Sequence, residues 1–237
     1  KNGIRGIIDE LGEGVTSKEE AIAAKESYIN IICKIHEENI DSDISLKLTT
    51  LGLGFDVDFC EQNLSQILKK ANEKNVLVWI DMEGSVYTQK TIDLYKKLVS
   101  SYPDNVAICL QAKLRRTEKD LEEIVSANGK IRLCKGIYWE PESIAFQDMD
   151  EIRKNFIKLM NILFDKSSYF GLATHDDILI DEALRRNKPF RLQMLMGHRD
   201  EEKESFAKKT VVEEYIPYGS LWKPYVSRRL LELKRYK

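Results

Sequence analysis

An eight-fold α/β barrel is predicted for this chain by three observations. Eight short apolar runs recur along it, amphipathic helical stretches separate them in strict alternation, and 237 residues suit one such barrel. The runs are Gly6–Asp9, Ile44–Leu48, Val76–Ile80, Val106–Leu110, Ile131–Lys135, Phe170–Ala173, Phe190–Leu195 and Val211–Ile216. They are mostly continuous and rich in Val, Ile and Leu, as strands buried on both faces are.

The helices follow from spacing. Leu64, Ile67, Leu68 and Ala71 recur at i, i+3, i+4, i+7, and Phe156, Leu159, Met160 and Leu163 repeat the pattern. Ser17 with Glu20 predicts a capping box, and Thr117 with Asp120 a weaker one. An open doubly wound sheet is the competing architecture. It calls for a Gly-rich dinucleotide turn after its first strand, whereas this chain has Leu11-Gly12-Glu13-Gly14-Val15. No linker or low-complexity segment divides the chain, so residues 1–237 are expected to form a single barrel domain. Its first strand begins almost at Lys1, and no N-terminal extension is expected.

Composition narrows the function. Hydrophobic residues reach 43%, enough for a large core, and 37 basic side chains nearly balance 39 acidic ones. A net charge of −2 leaves no nucleic-acid footprint. The four cysteines form no C-x-x-C pair; Cys109 and Cys134 lie in apolar runs and read as small core residues. No disulfide is expected, and a reducing cytosol is the expected compartment. No apolar stretch approaches the ~20 residues of a membrane span, and no signal peptide opens the chain.

Barrel chemistry sits at the C-terminal ends of the strands. There the sequence places Lys47, Asp81-Met82-Glu83, Gln111, Lys135-Gly136-Ile137-Tyr138-Trp139, Thr174-His175-Asp176 and Tyr215, with Arg132 and Gln193 inside strands. Singly, each has a plain reading as a solvated end, a satisfied core amide or a helix cap. Together they must converge on something, because a buried polar group without a partner costs about 1–3 kcal/mol. The three histidines are too scattered for a metal site, and no Walker loop or nucleophile elbow is present. A Schiff-base lysine at Lys47 or Lys135 is the remaining covalent option.

The last helical stretch is unusual. Tyr225, Arg228, Arg229 and Glu232 occupy the i, i+3, i+4, i+7 stripe where the other helices carry apolar residues. Arg115–Arg116 and Arg185–Arg186 sit at helix ends, where arginine is commonly solvated. Arg228–Arg229 sits mid-helix beside an aromatic residue, and two guanidinium forks suit a carboxylate.

These residues fall into ordered motifs: DELGE (Asp9–Glu13), SLKLTTLGLG (Ser45–Gly54), IDMEGS (Ile80–Ser85), QAKLRR (Gln111–Arg116), IRLCKGIYW (Ile131–Trp139), ATHDD (Ala173–Asp177), FRLQML (Phe190–Leu195), YIPYG (Tyr215–Gly219) and YVSRRLLE (Tyr225–Glu232). In this order they resemble the proline dehydrogenase family over nearly the whole chain. The resemblance implies noncovalent FAD and oxidation of L-proline to Δ1-pyrroline-5-carboxylate. It implies a barrel whose last helix folds over the C-terminal mouth. Arg228 and Arg229 would grip the substrate carboxylate, and Lys47 would approach it. Asp81 would sit by the substrate amine and pair with Lys47. Tyr138, Leu195, Tyr215 and Tyr225 would wall the ring. Arg132 would lie near flavin N5. Met82, Gln111, the Lys135-Gly136-Ile137 backbone, Trp139, Thr174, His175, Gln193 and Glu232 would hold FAD. Electrons would pass to a membrane quinone, giving a cytoplasmic protein peripheral to the membrane's inner face.

The chain departs from the family pattern at Ile137 (usually alanine), Lys113 (commonly aromatic), Arg153 (often acidic) and in the helices expected before the first strand. Tyr225, where hydroxyproline-type relatives carry a smaller residue, favours proline. Two alternatives differ from this reading: a flavin barrel of the methylenetetrahydrofolate reductase kind, and a barrel that binds proline or a partner without turnover. The Arg228–Arg229 pair suits an amino acid better than a pterin, and intact Asp81, Arg132 and Arg229 speak for catalysis.

Overall fold

The computed structural model describes residues 3–12, 14–219, 222, 223 and 226. Eight parallel strands close into a barrel in chain order: β1 (Ile4–Glu10), β2 (Ser42–Lys47), β3 (Val78–Asp81), β4 (Val106–Gln111), β5 (Lys130–Cys134), β6 (Phe170–Ala173), β7 (Arg191–Leu195) and β8 (Val211–Tyr218). β8 returns to β1 over seven residue pairs, from Ile4–Val212 to Glu10–Tyr218. Seven helices alternate with them: α1 (Lys18–Glu37), α2 (Val57–Lys74), α3 (Ser85–Val99), α4 (Thr117–Ser126), α5 (Met149–Lys166), α6 (Asp177–Arg185) and α7 (Asp200–Ala207). The predicted closed barrel is the observed one. The helix predicted over the mouth, with Tyr225, Arg228, Arg229 and Glu232, lies outside the described residues.

Most of the apolar core is the jacket between strands and helices. Leu64, Ile67, Leu68 and Ala71 of α2 are fully buried against it, as are Phe156, Leu159, Met160 and Leu163 of α5. Ser17 caps α1 by accepting from the Glu20 amide while Glu20 reaches back, the predicted capping box. The second predicted box is not formed. Thr117 donates its hydroxyl to the Gln111 carbonyl at 2.5 Å, and Asp120 is taken by Arg116 at 2.6 Å. Strand limits shift modestly. Leu48 belongs to a 3₁₀ turn (Leu48–Leu51) rather than β2, Val76 and Leu77 precede β3, and Lys135 follows β5.

The barrel interior is mostly polar. Among the described residues, Ile7, Leu77, Trp79 and Ala107 form the apolar cluster inside, with Tyr169 and Tyr215 against it. At the closed, N-terminal end, Glu213 is fully buried and pairs with Arg191 and with Arg5 at 3.5 Å. Among the described residues, no helix is long and apolar enough to cross a membrane, and no three metal-ligating side chains cluster.

Candidate active site

Side chains of β1, β2, β3, β5 and β8 meet at the open end of the barrel. Asp81, the last residue of β3, is their centre. Its Oδ1 accepts from Arg132 Nη1 at 2.5 Å and from Ser45 Oγ at 2.8 Å. Its Oδ2 accepts from Tyr215 Oη at 2.7 Å and from Lys47 Nζ at 3.3 Å. Lys47 Nζ lies equally close, 3.3 Å, to both carboxylate oxygens of Asp9. The ladder explains this meeting: Lys47 pairs with Asp81 across β2–β3, and Ser45 with Trp79.

Electrostatics separates the two carboxylates. Burial opposes ionisation of Asp81, but Lys47 and Arg132 outweigh it and hold the carboxyl below its ordinary value. Asp9, 1% exposed, has Lys47 and, among the described residues, no arginine ion pair; burial and the neighbouring Asp81 charge push it up to about 6. Burial works against the Lys47 cation as well, yet Asp81 and Asp9 raise its pKa. Burial and the Asp81 charge drive the Tyr215 phenol well up, so it donates rather than ionises.

Arg132 is fixed through its Nε, its Nη1 and the faces of its guanidinium. Its Nε donates to Gln193 Oε1 at 2.5 Å, its guanidinium lies 4.7 Å from the Trp79 ring, and Tyr215 covers it at 5.5 Å. Gln193 Nε2 in turn donates to Glu213 Oε2 at 2.7 Å. The Glu213 carboxylate can only accept, so it decides which way the Gln193 amide faces, and that points the amide oxygen at Arg132. Both ends of Gln193 are thus used inside the barrel.

Of the residues expected around FAD, Glu232 lies outside the described residues, Met82 follows β3, and the others lie on or just after β4–β7. Gln111 donates to the Glu83 carbonyl at 2.9 Å, and buried Met82 precedes that residue. Gly136 turns with φ +101°, where a Cβ would sit 2.7 Å from Gln111 Oε1. Lys135 pairs with Asp176, which also takes Arg153 Nε at 2.8 Å. The basic Arg153 is therefore neutralised at the α6 cap rather than left facing the site. Thr174 Oγ1 accepts from the Asp176 amide at 3.1 Å, and His175 Nε2 accepts from the Leu195 amide at 3.0 Å. The Tyr138 carbonyl accepts from Lys113 at 2.6 Å. Ile137 and Trp139 are not gathered in; they are 42% and 77% exposed.

Two buried polar atoms here have no partner among the described residues: the acceptor Gln111 Oε1 and the donor Arg132 Nη2. A buried group left so is costly unless a ligand completes it. The missing side chain at Gly136 keeps Gln111 Oε1 uncovered. One acceptor and one donor beside a side-chain-free backbone turn fit the mixed edge of a flavin ring.

Sequence reasoning passed over Asp9, Ser45 and Glu213. Asp9 ends the first predicted strand, whose end was not read for polar residues. Ser45 and Glu213 are polar positions within buried strands, the same signal that singled out Arg132 and Gln193.

The family model described as proline dehydrogenase matches residues 1–235. The chain belongs to the proline dehydrogenase family. It is 37% identical over 238 residues to proline dehydrogenase 2 of Bacillus subtilis strain 168, covering 97% of this chain and 78% of that one. It is 31% identical over 247 residues to the proline dehydrogenase of Deinococcus radiodurans, covering 99% and 80%. Among solved structures it is similar to proline utilization A from Bdellovibrio bacteriovorus, a structure inactivated by N-propargylglycine. The TM-score is 0.86 at 20% identity, over 98% of this chain and 30% of that larger protein. A proline utilization A mutant from Bradyrhizobium japonicum gives 0.87, over 96% and 28%. At such identities the structural likeness speaks for the barrel alone, while membership of the family rests on the sequence matches.

Proposed function

We propose that this barrel, a single domain, binds FAD and oxidises L-proline to Δ1-pyrroline-5-carboxylate. The observation that carries the reading is the five-residue cluster around Asp81, set beside two buried atoms that want a ligand. Bound FAD supplies the two-electron acceptor for the hydride leaving proline C5. Gln111, Met82, the Lys135-Gly136-Ile137 turn, Trp139, Thr174, His175 and Glu232 would hold it, with the Arg132 cation close by. Gln193 serves it indirectly, by aiming Arg132.

Asp81 and Lys47 position the substrate. Asp81 carries four donors and is held ionised, so it is a poor base; it attracts the prolinium nitrogen, and the proton leaves to water. Lys47 adds positive charge toward the carboxylate, which Arg228 and Arg229 grip. Tyr138, Leu195, Tyr215 and Tyr225 confine the ring. Arg132, permanently charged, stabilises negative charge on the reduced cofactor. Electrons then pass to a quinone-type acceptor, which places the protein in the cytoplasm with peripheral visits to the membrane.

The test is anaerobic titration of the FAD-loaded protein with L-proline. Bleaching of the flavin absorbance is expected. Protein that cannot be loaded with FAD overturns the proposal; loaded flavin that proline leaves oxidised restores the alternatives.

A further inference from the structure

Two cysteines that this chemistry does not use face each other inside the barrel. The sulfurs of Cys109 on β4 and Cys134 on β5 lie 3.5 Å apart. Cys109 is 5% exposed, and Cys134, nearer the mouth, is partly open. The ladder pairs Cys109 with Arg132, and Gln111 with Cys134. The thiols are therefore diagonal neighbours, not directly opposed.

That offset decides which chemistry suits them. A disulfide of about 2.05 Å would have to pull the diagonal pair together against the ladder. A single bridging atom needs no such movement, since two bonds of about 2.3 Å meeting at about 100° span about 3.5 Å. The charge environment helps. Cys134 hydrogen-bonds to Cys109 and, with the nearby Arg132 cation opposing burial, holds the Cys109 thiol below its ordinary value. The same bond and burial push Cys134 up. Cys109 is thus the easier of the two to ionise and attack, and a second sulfur lies 3.5 Å away to follow.

We propose that Cys109 and Cys134 form a two-sulfur chelating site just inside the barrel mouth, for thiophilic ligands that bridge two thiolates, trivalent arsenicals being the class that fits the sulfurs as they stand. With phenylarsine oxide both S–H bonds break and two As–S bonds replace the As–O double bond. The oxygen leaves as water with the two protons. Arsenic stays trivalent, and nothing is oxidised or reduced. The site needs neither flavin nor proline, so it stands or falls apart from the reading above.

The experiment titrates the full reduced chain with phenylarsine oxide, as purified and again after flavin removal. Adducts are counted by intact mass, and cysteine peptides protected from maleimide are mapped. One arsenical per chain is expected, protecting Cys109 and Cys134 and released by 2,3-dimercaptopropanol but not by the same concentration of 2-mercaptoethanol. Cys109→Ala and Cys134→Ala should each weaken binding at least about a hundredfold, because the second bond is no longer intramolecular. Cys33→Ala and Cys60→Ala should leave it unchanged. Should Cys109→Ala fail to fold, Cys134→Val at the more open position carries the comparison. Protection of Cys33 or Cys60, no adduct in either preparation, or unchanged affinity in Cys134→Val overturns the proposal.

Discussion

Arg132 and Asp81 meet at 2.5 Å inside the barrel, and Ser45 closes a triangle between them, donating to the carboxylate at 2.8 Å and accepting from the guanidinium at 3.0 Å. Asp81 is the carboxylate that Arg132 and Lys47 share. Asp81→Ala leaves Arg132 and Lys47 buried without their shared partner and is expected to cost about 3 kcal/mol of stability. It should also lower proline-dependent flavin reduction at least about a hundredfold, or about 2.7 kcal/mol. Chemical unfolding and stopped-flow reduction measure the two. A variant as active as the parent would remove Asp81 from the site.

Asp9 gives a stability signature in pH. Its carboxyl is raised in the fold to about 6 from an ordinary 3.8. Between these values the folded chain keeps a proton that the unfolded chain has released. Asp9 therefore makes the fold less stable as pH rises from about 4 to about 6. Asp81, with its lowered carboxyl, acts in the opposite sense, losing stability as pH falls. Comparing parent with Asp9→Asn isolates the Asp9 contribution. The stability difference should shift in favour of the variant across that window, read from urea midpoints at several pH values. A constant difference would rule the raised carboxyl out.

Gly136 allows no side chain. Its φ of +101° and the 2.7 Å approach of a Cβ to Gln111 Oε1 mean that Gly136→Ala must bend the turn or displace Gln111. The expected penalty is about 1–3 kcal/mol, with weaker FAD binding. Thermal melts and fluorescence titration of FAD check both, and unchanged FAD affinity would place the cofactor elsewhere.

Arg228→Ala should weaken proline binding by about 2–5 kcal/mol, as for loss of a buried charge partner. Equilibrium titration of the oxidised holoprotein measures this. Affinity equal to the parent's would refute the carboxylate grip.

The barrel was legible because its strands are buried on both faces, so Val, Ile and Leu run almost continuously through them. Hydrophobicity could not mark where a strand stops. Leu48 is as buried in its 3₁₀ turn as Leu46 is in β2. Gln111, Arg132 and Gln193 stood out as polar residues in apolar strands. Their partners did not, since Glu213 reaches Gln193 from the neighbouring strand, 20 positions away, and Ser45 meets Arg132 across the barrel, 87 positions away. Thr117 and Asp120 had the right spacing for a cap, but each found a stronger partner nearby. Lys135 was legible as a strand-end cation, whereas its sharing of Asp176 with Arg153 depends on how α5 packs against the start of α6.

Glu213 makes no bond to Asp81 or Arg132, yet it aims Gln193, and Gln193 aims Arg132. The barrel thus works as a tensioned frame: its floor tunes its mouth. Loosening Arg5, Arg191 or Glu213 would detune a site that none of them touches. Mutational screens for thermal resistance in this chain would therefore alter redox chemistry as well, because alignment and rigidity are carried by the same bonds.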